Sequence, residues 1–101
     1  MEALIINDHS EEGLERTATF LKAIAHPMRI AILDLLSEGQ SKSVTQIYQR
    51  LGLEQAVASH HLGLLKNKGV LNSKRVGKNI YYSLRSEKLI DLIATAEACI
   101  S

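Results

Sequence analysis

The stretch from Gln55 to Ser86 contains no aspartate or glutamate, yet it carries Lys66, Lys68, Lys74, Arg75, Lys78 and Arg85 together with His60 and His61. The acids lie on either side of it: Glu2, Asp8, Glu11, Glu12, Glu15, Asp34, Glu38 and Glu54 before, Glu87, Asp91 and Glu97 after. A formal net charge of only +1 therefore hides a basic block. Such a block is the footprint of a face that binds a polyanion; the competing reading is an ordinary solvated surface with scattered charges. No other constellation is built for chemistry. There is no nucleophile–base motif, no phosphate-cradling glycine loop and no metal-ligand cluster, and Gly52, Gly63, Gly69 and Gly77 each stand alone. Nothing in the sequence assembles into an enzyme site. Cys99 is the only cysteine, which excludes an intrachain disulfide and an all-cysteine metal site within one chain.

The elements that must carry the basic block can be read from periodicity. With 101 residues, 46% hydrophobic and 23% charged, the chain has the composition of one small globular domain spanning 1–101. So small a core gives modest stability, and a second copy of the chain would usefully cover any remaining apolar face. No apolar run reaches the roughly 20 residues of a membrane span. The N-terminus lacks the basic region and long apolar stretch of a secretory leader, so a cytoplasmic location is expected. Ser10 caps a first helix, with Glu11 and Glu12 at its positive end, and Leu14, Ala18, Leu21 and Ala25 recur along it as one buried stripe. His26-Pro27 interrupts that pattern and starts a second helix, about Met28 to Ser37, apolar on most sides and expected at the centre of the fold. Gln40 to Lys42 reads as a polar connection.

Val44, Ile47, Tyr48 and Leu51 then mark a short third helix closed by Gly52, and Ala58, Leu62 and Leu65 form the inner stripe of a fourth ended by Gly69. Two short helices joined by a tight glycine turn, residues 44–68, are a helix-turn-helix. Val70 to Val76 and Ile80 to Leu84 read as strands around a Gly77-Lys78-Asn79 turn, which makes 70–84 a basic hairpin, or wing. Ser86 opens a last helix bearing Leu89, Ile90, Leu92, Ile93, Ala96 and Ile100, a broad apolar surface for a terminal helix. The fold class is mostly α with a small β-hairpin wing (α+β), a dimeric winged helix-turn-helix.

From Phe20 to Leu84 the chain resembles the ArsR family of bacterial winged-helix repressors. The pieces that carry the resemblance are Leu21-Lys22-Ala23-Ile24-Ala25-His26-Pro27-Met28-Arg29, Ile32-Leu33-Asp34-Leu35-Leu36, Ser59-His60-His61-Leu62-Gly63-Leu64-Leu65, Gly69-Val70-Leu71, and Gly77-Lys78-Asn79-Ile80-Tyr81-Tyr82-Ser83-Leu84. Each piece alone is weak; their order and spacing are specific. The resemblance implies a homodimer joined through the first and last helices (10–25 and 86–100), gene repression, and release of double-stranded DNA on a chemical signal. Leu14, Leu21, Leu89, Ile93, Ala96 and Ile100 are the candidate dimer contacts.

The fourth helix is the candidate reader of base edges. With Ala58, Leu62 and Leu65 inward, Gln55, Ala56, Ser59 and His60 lie outward near its N-terminal half. Gln55 can pair with adenine through two hydrogen bonds, while Ser59 and His60 can serve bases or phosphate. His61 falls nearer the core, where packing or a buried hydrogen bond is expected. The two histidines could equally be surface groups of no special role, and adjacent helical residues point about 100° apart, unlike the i, i+4 pair of helical zinc sites. Lys66, Lys74, Arg75 and Lys78 are candidates for phosphate or minor-groove contacts. Two features depart from the family pattern: Ala56 and Val57 replace frequent hydroxyl residues, and Glu54 stands at the usual Ser or Thr cap. Gly63 within the helix costs about 1 kcal/mol against alanine and suggests close packing.

Metal-sensing relatives place two cysteines on the third helix around a valine; here Ser43 and Thr45 flank Val44. Other members use Asp and His at the start of the last helix, where Ser86 and Lys88 fall. No metal and no cofactor is expected at either position. Asp8 and His9 read as a solvated tail, or as donors across a dimer. Cys99 reads as a small apolar interface residue, or as a redox-sensing thiol that leaves room for an oxidant or small-molecule effector. The alternative to an operator-binding regulator is a winged-helix dimerisation or protein-interaction module.

Overall fold

The structure, a computed structural model, describes residues 5–101; residues 1–4, which enter the reading of an absent leader, lie outside that range. The elements follow in the order α1 (Glu11–Ile24), α2 (Pro27–Leu36), β1 (Lys42–Ser43), α3 (Val44–Leu51), α4 (Gln55–Asn67), β2 (Leu71–Val76), β3 (Asn79–Leu84) and α5 (Lys88–Ile100).

Local chemistry sets most of these boundaries. The Ser10 hydroxyl accepts the Gly13 N–H at 3.0 Å and caps α1. Asp8 completes that cap, accepting from the Ser10 hydroxyl at 2.6 Å and its N–H at 3.0 Å and pairing with Arg16 at 2.8 Å. The Ser10 hydroxyl, then its N–H, and Arg16 hold the Asp8 carboxyl below its ordinary value. Pro27 occupies the first turn of α2, whose cap is His26: its Nδ1 accepts the Met28 N–H at 3.1 Å. Ser43 and Gln46 form a reciprocal capping box on α3, at 3.1 and 2.8 Å. Gly52 ends α3 in the left-handed conformation, φ 66°, which a glycine adopts at no steric cost.

The core is assembled around α2. Ile32, Leu33 and Leu36 meet Ile47 of α3, Leu62 and Leu65 of α4, Val70, Leu71 and Tyr82 of the hairpin region, and Leu89 of α5. Burial of each of these large aliphatic side chains contributes about 1.5–3 kcal/mol. Ala58, Leu62 and Leu65, the inner stripe expected of α4, are fully buried.

Five expectations are corrected. Helix α2 runs Pro27–Leu36 rather than Met28 to Ser37, because His26 supplies the cap and proline the first turn. The polar connection ends in a strand: β1 pairs Lys42 with Tyr82 and Ser43 with Tyr81, giving an antiparallel sheet of order β1-β3-β2. Helix α5 begins at Lys88, where the Ser86 hydroxyl accepts the Lys88 N–H at 3.2 Å from just outside the helix. The stripe Leu14, Ala18, Leu21 and Ala25 is not buried in the protomer; α1 buries Gly13, Ala23 and Ile24 instead, and Leu14 and Leu21 are 44% and 47% exposed. Conversely Leu89, expected at a dimer interface, is 4% exposed because it inserts into the protomer's own core.

Candidate nucleic-acid interface

Helix α4 presents its outer arc to solvent because its inner arc is tied down from two directions. Ala58, Leu62 and Leu65 fix it to the core, while His61, also buried, ties it to the α1–α2 junction. Arg29 of α2 makes this second connection. Its Nε donates to His61 Nδ1 at 3.2 Å and its Nη1 to the Ala23 carbonyl at the end of α1 at 3.1 Å. The His26 ring lies 4.7 Å from that of His61. With Nδ1 accepting in both rings, the neutral tautomer carries its proton on Nε2. Burial, followed by the charges of His26, Arg29 and His60, pushes the His61 pKa down. The expected burial of His61 is thus found; its guanidinium partner, 32 residues away in sequence, carries no local signal.

Gln55, Ala56, Ser59 and His60 are all exposed. None of the three polar side chains among them is hydrogen-bonded to another described residue, so their donors and acceptors are available to a ligand. The start of α4 is equally unencumbered. Glu54 is the N-cap residue but its side chain makes no cap bond, unlike Ser10, His26 and Ser43 on the three preceding helices. The first amides of α4 therefore remain free, at the positive end of the helix dipole. Gly63 has open space where a Cβ would be, with nothing within 4 Å, so close packing within the protomer does not explain it.

The wing carries the second group of candidates. Strands β2 and β3 pair from Leu71↔Leu84 to Val76↔Asn79, leaving Gly77 and Lys78 as a two-residue turn. Gly77 has φ +61°, the left-handed geometry that the tight hairpin turn requires. Lys74, Arg75 and Lys78 are exposed around this turn, and Arg75 Nε makes only a long contact, 3.4 Å, to the Gly77 carbonyl. Lys66 is exposed in the last turn of α4. Arg85 differs from the rest: its guanidinium lies over Gly69, 3.1 Å from where a Cβ would stand, beside the negative end of α4. Among the described residues the ion pairs lie elsewhere, Asp8–Arg16 at the start of α1 and Glu38 with Lys42 and Arg50 near α3. Among the described residues, Lys66, Lys74, Arg75 and Lys78 have no carboxylate within 4 Å.

Remaining sequence candidates fall on the opposite elements. Leu14, Leu21, Ala96 and Ile100 are exposed on α1 and α5, and Ile93 is half-buried against the core. Cys99 is exposed near the end of α5. The Ser43 hydroxyl, at a position where metal-sensing relatives carry cysteine, is buried and committed to the α3 cap.

The family described as "Bacterial regulatory protein, arsR family" matches residues 26–73, from the α2 cap into the wing. The chain is 42% identical over 88 residues to the transcriptional repressor PagR of Bacillus anthracis, covering 85% of this chain and 88% of that protein. The chain belongs to the arsR family. It is also 35% identical to the HTH-type transcriptional regulator YgaV of Escherichia coli, over 84% of this chain and 86% of YgaV. The crystal structure of PagR superimposes with a TM-score of 0.75 at 39% identity, covering 86% of this chain and 99% of PagR. The homodimeric winged helix-turn-helix DNA-binding domain of Mb0332 from Mycobacterium bovis gives 0.81 at 29% identity, over 99% and 90% of the two chains. The chain is a winged helix-turn-helix transcription regulator of that family. Among the described residues no helix is long and apolar enough to cross a membrane.

Proposed function

We propose that the chain is a cytoplasmic, non-catalytic repressor that binds an inverted-repeat operator as a homodimer. Helix α4 enters the major groove and the wing holds the flanking backbone. The observation that carries this reading is the acid-free stretch from Gln55 to Ser86, on which the polar groups of Gln55, Ser59 and His60 and the cations Lys66, Lys74, Arg75 and Lys78 stand exposed, without a side-chain partner or carboxylate among the described residues. Phosphate contacts fix position and base contacts give sequence, and this surface offers both kinds of group in adjacent elements.

The dimer is supported by the protomer's shape. Its extents are 53 × 31 × 21 Å and its radius of gyration is 15.0 Å, against about 13 Å for a compact domain of this length. The apolar residues Leu14, Leu21, Ala96 and Ile100 project from α1 and α5, which is where a second copy would bury them. Ile93 adds its exposed part to that surface. Two-fold symmetry through these helices predicts that the two α4 helices meet half-sites one helical turn apart, about 34–36 Å. The homodimer of the Mb0332 domain has the same fold. With Ser43 engaged as a cap and Lys88 at the start of α5, release of DNA does not run through metal at either of the familiar positions.

Selection of bound fragments from the source genome, followed by affinity measurement over a salt series, tests the reading. A tight palindromic site with a steep salt slope is expected. Binding that stays weak and sequence-independent at physiological salt refutes it and favours a protein-interaction module.

A further inference from the structure

Between Gln55 and Ser59 the first turn of α4 exposes two apolar residues, Ala56 and Val57, while Ala58 is buried. Val57 is 41% exposed and stands outside the core cluster. A β-branched residue in an exposed helical position forms helix less readily than alanine and here leaves apolar surface in water. Its exposed neighbours on the helix, Gln55, Ser59 and His60, are polar and without hydrogen-bond partners among the described residues, which suits nucleic acid and disfavours an apolar protein partner, although Glu54 stands one turn before it. In the major groove the base edges present one apolar group, the C5-methyl of thymine.

We propose that Val57 reads thymine in each half-site by packing its side chain against that methyl group. The inference rests on α4 being the base-contacting helix and goes beyond it by assigning one base to one side chain. Ala56, exposed beside it, is short enough to leave the approach open. Against cytosine or adenine the same valine would cover an exocyclic amino group without accepting its hydrogen bond, so the contact rejects those bases as well as favouring thymine. The hydrogen-bonding groups of Gln55, Ser59 and His60 find no partner in a methyl group.

The test uses the full-length protein and the genomic fragment it selects most tightly. Each thymine is replaced by deoxyuridine at matching positions of both half-sites, which removes the methyl and keeps base pairing. Loss of one buried methyl is worth about fourfold in affinity, so the paired replacement lowers binding about fifteenfold at one or two positions per half-site. Val57→Ser, at an exposed position and with its thermal midpoint checked, binds the thymine and uracil forms of those positions alike. Uniform wild-type affinity across the uracil series overturns the proposal, as does a Val57→Ser protein that keeps the full thymine preference. If no fragment is selected at all, the reading of α4 falls together with it, whereas a selected but uracil-indifferent fragment removes only the role of Val57.

Discussion

Replacing Arg75 with alanine isolates the electrostatic part of the mechanism. The side chain is exposed and its one hydrogen bond, to the Gly77 carbonyl, is long at 3.4 Å, so its loss should change stability by no more than about 0.5 kcal/mol. The contribution expected of it to binding is far larger. Each phosphate neutralised on duplex DNA adds about −0.9 to the slope of log affinity against log salt. A homodimer carries two copies of Arg75, so Arg75→Ala should make the slope shallower by about 1.8. Between 50 and 200 mM salt one such contact is worth about 3.5-fold in affinity and two about twelvefold. The variant should therefore bind more weakly than the wild type at low salt and approach it as salt rises, for specific and non-specific duplexes alike. Fluorescence anisotropy on a labelled fragment across that salt range measures both slopes. Arg16→Ala is the control, since Arg16 is already paired with Asp8 at 2.8 Å, away from the wing. An Arg75→Ala slope equal to that of the wild type, with Arg16→Ala also unchanged, would refute the contact between wing and backbone.

Three further predictions follow from the geometry. Leu21→Glu places a charge on the outward stripe of α1 and should raise the dimer dissociation constant by at least about a hundredfold, the equivalent of about 3 kcal/mol, while circular dichroism stays unchanged; sedimentation at micromolar concentration would show a dimer if the stripe is not the interface. His61 has a depressed pKa in the folded chain, so the unfolded state binds protons first: stability is complete above about pH 6.5 and is lost as pH falls from there through the folded value. Thermal midpoints over that window should fall for the wild type and flatten in His61→Gln, whose amide oxygen can still accept from Arg29; parallel curves would exonerate His61. Gly63→Ala fills open space and removes a helix-interior glycine, so it should raise stability by about 1 kcal/mol and the midpoint by about 4–8 °C, and a lowered midpoint would reveal a close neighbour in the dimer.

What the sequence disclosed and what it hid divide along physical lines. Caps and turns depend on a few adjacent residues, so Ser10, Pro27, Gly52 and Gly77 marked their elements correctly. The inner stripe of α4 was legible because Ala58, Leu62 and Leu65 have one partner, the core, on one side only. On α1 periodicity marked the arc that the protomer leaves exposed. Periodicity identifies an apolar face but not what covers it, and α1 has two: Ala23 and Ile24 toward the protomer, Leu14 and Leu21 away from it. Leu89 shows the converse, an apolar residue of a broad surface that its own core claims. Strand β1 is two residues long, too short to show any alternation, and exists because β3 has an edge left to pair. The contact of Arg29 with His61 joins residues far apart in sequence and depends on the packing of three helices, which no local pattern encodes.

The reader helix illustrates how stability and recognition are kept on separate groups. Everything that holds α4 in place points inward: three fully buried aliphatic side chains and one histidine gripped by Arg29. Among the described residues, no outward side chain of α4 is hydrogen-bonded within the protomer. Glu54 sharpens the point, because a Ser or Asp there would contribute about 1 kcal/mol by capping the helix, yet its carboxylate leaves the first amides of α4 unbonded. A negative charge at that end favours the helix dipole while it repels phosphate, so the glutamate sits between two opposing demands. The cations of the wing and of the last turn of α4 meet no such conflict, since among the described residues no carboxylate pairs with them. On the proposed reading, backbone attraction is therefore concentrated at the wing and at the far end of α4. Its N-terminal turn, with a weak cap, an acid beside it and two apolar residues, is better suited to discriminating bases than to holding phosphate.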